Sequence, residues 1–428
     1  MTLPQLWARF SPHRALRIPD WSVLQHRDFL FLWASGGLGH ICRWMEMGVL
    51  GWLLLELTDS PWQVAVAGVF RSAPMLAFGL FSGLIADRLS RWRVMIITQA
   101  VSALVTALLL VSLMTGVIQP WQVFLGAFIL GWATILDFPS RRSFMYDLVG
   151  PQQLVGAMSL ETVSSTLGKF LGPLLGGLFI ELTGFQGVYV LLLAAYVMAV
   201  LLLTHVRASI PRPLTLSQPV WQSLASGLRY SLDNPVVTGV LGTTIIMNAL
   251  GFSYVQLLPV VAKEHLRVGP ALMGILASAD GIGTLIGAMT IACLGKIQHH
   301  GRIFILGALL ELVSLVAFSL SPQYHLSLSL LLVVGVGNAG FSTMQSTIIL
   351  LSTAPGMRGR ALGIMGLCIG ATPLGLLEMG ALAAILHAPA AIGLNAVAAL
   401  LLLLPVIMLT PLLSSAPCWP PGKSIADP

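Results

Sequence analysis

Apolar residues along this chain fall into long runs that are separated by short polar segments. Each of twelve runs approaches the roughly 20 apolar residues that an α-helix needs to cross about 30 Å of hydrocarbon. The pattern therefore predicts an all-α integral membrane protein with twelve transmembrane helices. The predicted spans are 29–56, 64–86, 94–115, 121–139, 154–181, 187–206, 236–261, 271–294, 302–320, 326–350, 360–386 and 390–410.

The longest polar stretch, residues 207–235, divides these spans into two sets of six. Within it, Trp221, Leu224, Leu228 and Leu232 share one helical face, which suits a helix on the membrane surface or a plain linker helix. The predicted organisation is an N-terminal cytoplasmic tail (1–28), a six-helix half (29–206), a cytoplasmic linker (207–235), a second six-helix half (236–410) and a C-terminal cytoplasmic tail (411–428).

A weak internal repeat supports two related halves. Glycines after the fourth span recur after the tenth at a spacing of 203 residues. The matched pairs are Gly156 with Gly359, Gly172 with Gly375, and Gly177 with Gly380. Two halves related in this way place a binding site between them, near the middle of the membrane.

Composition excludes most other classes of protein. Only 9% of residues are charged, 56% are hydrophobic and the mean hydropathy is +0.89, so most apolar surface must face lipid. The formal charge of +6 is then a sign of orientation, not of nucleic-acid binding. The spacing of the four cysteines and of the histidines predicts no disulfide framework, no metal and no cofactor.

The distribution of lysine and arginine predicts the topology. Seventeen of the twenty-two lie in the two tails or in the even-numbered loops, and only Lys263 and Arg267 lie in odd-numbered loops. This alternation places both termini in the cytoplasm. The expected location of the chain is a bacterial cytoplasmic (inner) membrane.

A charged hinge, residues 83–93, connects the second and third spans. It resembles the loop between the second and third helices of major facilitator superfamily transporters, with Ser90 where that family usually has glycine. The resemblance implies a latch on the cytoplasmic side, in which Asp87 pairs with Arg91, the start of a neighbouring helix, or Arg358 and Arg360. A solvated turn is the alternative. The predicted gate residues are Gly83, Asp87, Arg88, Arg91 and Arg93.

The fifth predicted span carries a glycine-proline motif. Its members are Gly168, Gly172, Pro173, Gly176 and Gly177. Three of these glycines share one helix face, which lets a neighbouring backbone approach closely, and ordinary packing explains this equally well. The pattern is similar to the motif of drug/proton antiporters in the same superfamily.

Smaller details resemble a subgroup of these antiporters that contains macrolide-type efflux pumps and the enterobactin exporter. They are Trp44-Met45 in the first span and Pro139-Ser140-Arg141 after the fourth. The resemblance implies proton-driven export of a bulky, amphipathic small molecule by a monomer that alternates between the two membrane faces. Uptake by a permease is the alternative direction.

Ionisable residues inside the spans are functional candidates, because they are costly in lipid. At a rise of about 1.5 Å per residue, four of them lie roughly 13–15 Å deep, near the midplane. These four are Arg71, Glu161, Asp280 and Glu311, and three nearer the outer half, Arg43, Glu46 and Lys169, complete the predicted set for proton and substrate coupling.

A proton carrier has to change charge, and burial in apolar surroundings favours the uncharged form of a carboxyl group. Glu46 is the first choice, with Arg71 at comparable height and Arg43 one turn away. A static ion pair is the alternative for Glu46, and a wet cavity lining is the alternative for Asp280 and Glu311. His40 is interpreted as a structural histidine, and Lys169 as a residue that orients its helix, extends outward or contacts substrate.

The seventh span mixes polar and aromatic residues on one face at four-residue spacing. Asn248, Phe252 and Gln256 are therefore predicted to line the central cavity. No phosphate-binding loop or catalytic group is present, so the chain is not expected to be an enzyme, and a lipid-modifying membrane enzyme is the least favoured alternative. The expected partners are lipid, protons and a small-molecule substrate.

Overall fold

The computed structural model describes residues 21–88, 90–206, 220–293, 297, 299–354 and 357–413. Within these ranges the chain is nearly all helical and contains no strand. A 3₁₀ turn at Trp21–Gln25 leads into the first helix. The helices are α1 Arg27–Thr58, α2 Pro61–Arg88, α3 Arg91–Met114, α4 Pro120–Thr204, α5 Val220–Asp233, α6 Pro235–Ile246, α7 Tyr254–Val260, α8 Pro270–Cys293, α9 His300–Ser319, α10 Tyr324–Ser352, α11 Arg358–Ile369, α12 Thr372–Leu386 and α13 Ala388–Leu409.

Two glycines break the 85-residue helical stretch α4 into three arms. Gly150 and Gly184 have φ angles of 69° and 71°, in the region that only glycine enters without strain. We name the arms α4a (120–149), α4b (151–183) and α4c (185–204). The prediction that the fourth span ends at residue 139 is therefore wrong by about ten residues, because the helix continues through Pro139 and turns only where a glycine allows it.

Two other predicted spans are interrupted. Between α6 and α8 the chain forms π-helical turns at Met247–Gly251 and Val261–His265, on either side of α7. The predicted eleventh span consists of α11 and α12, which are separated at Gly370 and Ala371, where Pro373 opens the second helix.

The described helices show a multi-pass membrane protein. Within the described ranges, nine segments are long and apolar enough to cross a bilayer. The predicted all-α membrane fold is thus confirmed, whereas the count of twelve spans in two equal halves stays a prediction.

The helices form two groups, which we call the N-terminal group (α1–α4) and the C-terminal group (α6–α13). Glycines that repeat in the sequence make equivalent contacts. A Cβ on Gly172 would lie 2.7 Å from Ile41 O in α1, and Gly177 packs against Gly274 in α8 of the other group.

In the C-terminal group, the corresponding glycines also contact one helix of their own group and one of the other group. A Cβ on Gly375 would lie 2.7 Å from Ser253 Oγ, just before α7, while Gly380 packs against Ala65 and Trp62 of α2. In each group, one helix contacts the first predicted span of its own group at one glycine and a helix of the other group at a second glycine. These helices are α4b in the N-terminal group and α12 in the C-terminal group. This pattern is what the repeat of 203 residues leads one to expect.

Helix α5 lies against the C-terminal group. Arg360 Nη1 donates to Ser226 Oγ at 2.9 Å, and Ala354 N donates to the Tyr230 hydroxyl at 3.1 Å. Leu228 and Leu232 remain exposed on the opposite side. An exposed apolar face on a helix that is fixed on its polar side suits the predicted position at a membrane surface.

Candidate transport site

A chain of hydrogen bonds connects α1 to α4b inside the N-terminal group. Arg43 Nη2 donates to His40 Nδ1 at 3.2 Å, and His40 Nε2 lies 2.9 Å from Glu161 Oε1. Because arginine can only donate, Nδ1 must accept, and the proton of a neutral His40 therefore lies on Nε2 and points to Glu161. His40 is thus hydrogen-bonded through both ring nitrogens, as expected, and its structural role stays a prediction.

A second ion pair in this group lies on α4a. Arg141 donates through Nε and Nη2 to the two oxygens of Asp137, at 3.0 and 3.2 Å, and through Nη1 to Leu32 O at 3.0 Å. Arg141 is only 3% exposed. The interpretation of this residue as a charge of a cytoplasmic loop is therefore wrong, because the helix continues past it and buries it against α1.

A third pair connects α1 and α2. Arg71 Nη1 donates to Glu46 Oε2 at 3.3 Å, and Nη2 lies 3.4 Å from Arg43 O. The Tyr196 hydroxyl on α4c lies beside the same carboxylate. The structure thus brings together Glu46, Arg71 and Arg43, which the sequence placed at similar depth.

A polar cavity lies among these groups. Its volume of about 50 Å³ admits water, whose share of liquid volume is about 30 Å³, but does not admit a bulky molecule. We call the hydrogen-bonded chain from Arg43 to Glu161, the two ion pairs and this cavity the N-terminal cluster. Its charged or polar lining residues are His40, Arg43, Thr98, Gln99, Ser102, Thr134, Asp137, Arg141, Glu161 and Tyr196.

A different cluster lies between the two groups. Lys169 Nζ on α4b is 2.9 Å from both carboxylate oxygens of Asp280 on α8 and 3.3 Å from Thr284 Oγ1. The Tyr254 hydroxyl donates to Asp280 Oδ2 at 3.0 Å, and the Trp44 ring centre lies 5.8 Å from Lys169 Nζ. Of the roles predicted for Lys169, outward extension is wrong, because the ammonium group turns into the interface between the groups.

Glu311 on α9 lies behind this pair. The residue is 0% exposed, and neither of its carboxyl oxygens has a hydrogen bond of normal geometry. Its polar neighbour is Asn338, and the charges of Lys169 and Asp280 are close enough to act on it. We call Lys169, Asp280, Tyr254, Thr284 and Glu311 the interface cluster.

The glycine-proline motif positions both clusters. A Cβ on Gly168 would lie 2.7 Å from His40 Cβ, and one on Gly176 would lie 3.2 Å from Met45 Cγ, so this face packs on α1. On the other side, Gly177 and the Pro173 carbonyl group contact Gly274 of α8. Close backbone approach is thus observed on both sides of α4b.

The two helix groups are held together at the end of the bundle where α1 ends and α2 begins, which we call the closed end. Lys263 Nζ donates to Leu55 O at 3.3 Å and to Asp59 Oδ1 at 3.2 Å. Ala271 N donates to Glu181 Oε2 at 3.0 Å. Deeper in the bundle, Ser278 Oγ donates to Phe170 O at 2.8 Å, and Gln256 Nε2 donates to Val64 O at 3.1 Å.

The residues predicted to line a cavity have other neighbours. Gln256 lies in this contact between the groups. Asn248 donates to Thr244 O at 2.9 Å, and Phe252 packs edge-on against Phe341 with ring centres 5.6 Å apart. In this closed arrangement the three residues are packed against protein, and their role as cavity lining stays a prediction.

The predicted cytoplasmic gate lies partly outside the described residues. The side chains of Asp87 and Arg88 and the surroundings of Gly83 belong to that part. Arg91 forms an ion pair with Asp147 on α4a, and Arg93 is exposed.

Several residues of the two clusters were missed or given little weight in the sequence. Asp137 and Arg141 stand four residues apart, a spacing that predicts an ion pair once both are known to lie on one helix. For Tyr254 and Tyr196, no local signal points to the carboxylates that they contact.

A helical membrane fold with buried charges, one cluster of which is shared by two helix groups, is an arrangement typical of membrane transporters. Solved transporter structures have the same fold. A POT family transporter in complex with 5-aminolevulinic acid superposes with a TM-score of 0.73 at 12% identity, covering 91% of this chain and 97% of that chain. A bacterial homologue of the human lysosomal transporter Spinster, inward-facing and unoccupied, gives 0.69 at 13% identity and covers 90% and 96%.

The chain belongs to the transmembrane secretion effector family of the major facilitator superfamily, whose model matches residues 18–417. It is also similar to the enterobactin exporter EntS of Shigella boydii serotype 18, with 27% identity over 331 residues, 74% of this chain and 77% of that protein. EntS of Escherichia coli O139:H28 is 26% identical over the same lengths. The predicted superfamily and subgroup are confirmed.

Proposed function

We propose that this protein exports a bulky, amphipathic small molecule of the siderophore type from the cytoplasm by proton antiport. The observation that carries the proposal is the family match over residues 18–417, together with relatives that are named as enterobactin exporters over three quarters of the chain. Proton antiport supplies the energy, and the titratable groups buried in the two clusters are where protons would bind.

In alternating access, the site opens to one membrane face at a time, so the orientation of the closed end decides which state the structure represents. With both termini in the cytoplasm of a bacterial cell, and the protein in its inner membrane, the closed end faces outward. The described contacts then belong to an inward-facing arrangement, which is ready to take up substrate from the cytoplasm. Rocking of the two groups, with separation at the interface cluster, opens the outer face.

The cavities of the closed arrangement support a moving interface. The space beside Lys169 and Asp280 has a volume of about 20 Å³, which is too small for any organic substrate. Substrate can therefore pass only if the contacts between the N-terminal and C-terminal groups separate. This requirement explains why charge is placed at that interface and not only inside one group.

Export is tested in inside-out vesicles with purified protein and enterobactin as the probe. We expect enterobactin to accumulate when the vesicle interior is acidic and not when an ionophore removes the pH gradient. Accumulation that ignores the gradient would exclude antiport, and accumulation only in right-side-out vesicles would identify an uptake permease.

The same assay decides between the candidate proton carriers. Glu46→Gln, Glu161→Gln, Asp280→Asn and Glu311→Gln each remove one charge from the buried set. Glu56→Gln is the matched control, because Glu56 lies near the end of α1 and, within the part of the chain that the structure describes, accepts a side-chain hydrogen bond only from Trp52 of its own helix, at 2.7 Å. A carrier variant is expected to lose the response to the gradient while it still exchanges enterobactin across a membrane without one.

A further inference from the structure

The interface cluster has one cation for two acids. Lys169 is the only lysine or arginine bonded to Asp280 among the described residues, and Glu311 has no bonded cation at all. Asp280 and Glu311 belong to the C-terminal group, whereas Lys169 belongs to the N-terminal group. The neutralising charge is therefore supplied from across the interface.

Separation of the groups removes that charge. The titratable or hydrogen-bonding groups that face Asp280 are Lys169 from α4b, Tyr254 from α7, Thr284 on α8 and Glu311 behind it. When Lys169 leaves with α4b, two hydroxyl groups and a second acid remain. An unpaired carboxylate in such surroundings is costly, and binding one proton removes the cost.

We propose that Asp280 is the proton-binding site of transport, and that Lys169 expels the proton when the groups close. The proposal rests on the proposed export function and deepens it. In the open arrangement, one proton from the adjoining aqueous phase binds the Asp280 carboxylate and makes it a neutral acid. On closure, the Lys169 ammonium takes the place of that proton, which leaves to the water on the other side.

The direction of coupling follows from the orientation. If the closed end faces outward, opening there exposes Asp280 to the outer phase, and closure delivers the proton inward. The N-terminal cluster cannot work in this way, because its arginines and acids all move together with one group.

The proposal predicts that opening of the closed end takes up one proton. The ratio of open to closed molecules should then rise by up to about tenfold for each unit that the pH falls. Spin labels at Leu182→Cys on α4b and Leu320→Cys after α9 report the separation, since both residues lie at the closed end and are 69% and 77% exposed. Pulsed EPR in liposomes from about pH 5 to pH 8 measures the ratio without any substrate.

Four variants make the test specific. Lys169→Gln with Asp280→Asn removes the pair without leaving an unpaired charge, and we expect the pH dependence to vanish. Asp280→Glu and Lys169→Arg keep the chemistry and should keep the slope. Lys263→Gln is the matched control, because it removes another ion pair between the groups, with Asp59, that is open to water. It should change the ratio but not its slope.

The possible outcomes separate this inference from the proposed function. A double variant with the slope of the parent would overturn the role of Asp280, and so would a parent without any slope. If export by the parent nevertheless depends on the pH gradient, antiport stands and another acid carries the proton. If export ignores the gradient, the proposed function itself fails.

Discussion

The N-terminal cluster and the interface cluster use the same kinds of residue in two different ways. In the first, Arg71 bonds Glu46 and Arg141 bonds Asp137, each within a single group of helices. In the second, the only cation bonded among the described residues crosses from one group to the other, and Glu311 is left without one. The two clusters therefore differ in which helices carry the charges and in the balance of cations and acids, which is one cation to two acids in the interface cluster.

This difference decides what each cluster can do. An ion pair inside a group that moves as one body survives the motion, so it stabilises the fold but does not sense the state of the transporter. An ion pair across the moving interface exists in one state only. Such a pair can therefore couple conformational change to proton binding. When the pair breaks, the carboxylate loses its neutralising charge, and proton binding becomes more favourable.

The largest expected effect tests the stabilising role of the N-terminal cluster. Arg141→Met removes both hydrogen bonds of Arg141 to the Asp137 carboxylate, which among the described residues keeps only the bond from the Thr98 hydroxyl at 3.4 Å, and the bond to the Leu32 carbonyl group. We expect a loss of about 3–5 kcal/mol of stability, the usual result of removing one partner of a buried pair. Thermal unfolding in detergent measures it. The double variant with Asp137→Asn should recover most of the loss, and a single variant as stable as the parent would contradict the comparison.

Glycine substitutions distinguish the two kinds of contact on one helix. Gly168→Ala places a Cβ 2.7 Å from His40 Cβ inside the N-terminal group, and we expect destabilisation of about 1–3 kcal/mol. Gly177→Ala meets α8 across the interface, where opening relieves the clash. Its thermal stability should be closer to that of the parent, while the spin-label distance at the closed end increases.

Gly363→Ala on α11 is the control for these two variants, because a Cβ there has open space around it. It should leave both the stability and the distance nearly unchanged. Equal loss of stability in Gly168→Ala and Gly177→Ala would show that the two faces of α4b are equally rigid.

The variant Glu46→Gln distinguishes between two candidate proton carriers: Glu46, which is the first choice from the sequence, and Asp280, which is inferred from the structure. If Glu46 carries the proton, the variant loses gradient-driven export. Because Arg71 and Glu46 move together within one group, we expect export still to respond to the gradient, with reduced thermal stability. Vesicle transport and unfolding of the same preparation measure both quantities.

The smallest effect is expected at the rim of the closed end. Lys263→Gln removes a solvent-exposed ion pair, and such pairs contribute under about 1 kcal/mol. The open population should therefore rise by about fivefold at most, with a smaller rise at high salt, which screens exposed charges. A larger rise in EPR would mean that the rim, and not the interface cluster, controls closure.

Particular residues show how far sequence reasoning extended. The apolar runs predicted the helices within a few residues where polar segments end them. They failed at 139, where helix α4a continues to residue 149, because a proline inside a long apolar run does not by itself end a helix in this packing. The glycines at 168, 172 and 176 were expected to admit a neighbouring backbone, since their spacing places them on one helix face. Gly168 and Gly172 do meet the backbone of α1, whereas Gly176 lies nearest to the Met45 and Val49 side chains.

The buried charges divide in the same way. That Glu46, Arg71, Glu161, Asp280 and Glu311 lie within helices follows from hydropathy alone. That Lys169 and Asp280 meet, although 111 residues separate them, follows only from the packing of α4b on α8. The same holds for Tyr254, whose hydroxyl reaches Asp280 from a short helix between two π-helical turns.

The sequence by itself determined the class of protein, because lipid accepts few charges and requires long apolar helices. It also identified most of the buried ionisable side chains, since a position inside a helix sets depth, but not Arg141. Only the tertiary structure decided which of them are partners, and whether a pair lies within one helix group or between two. Pairing depends on which helix faces meet, and that arrangement is a property of the whole packed bundle, not of any one segment.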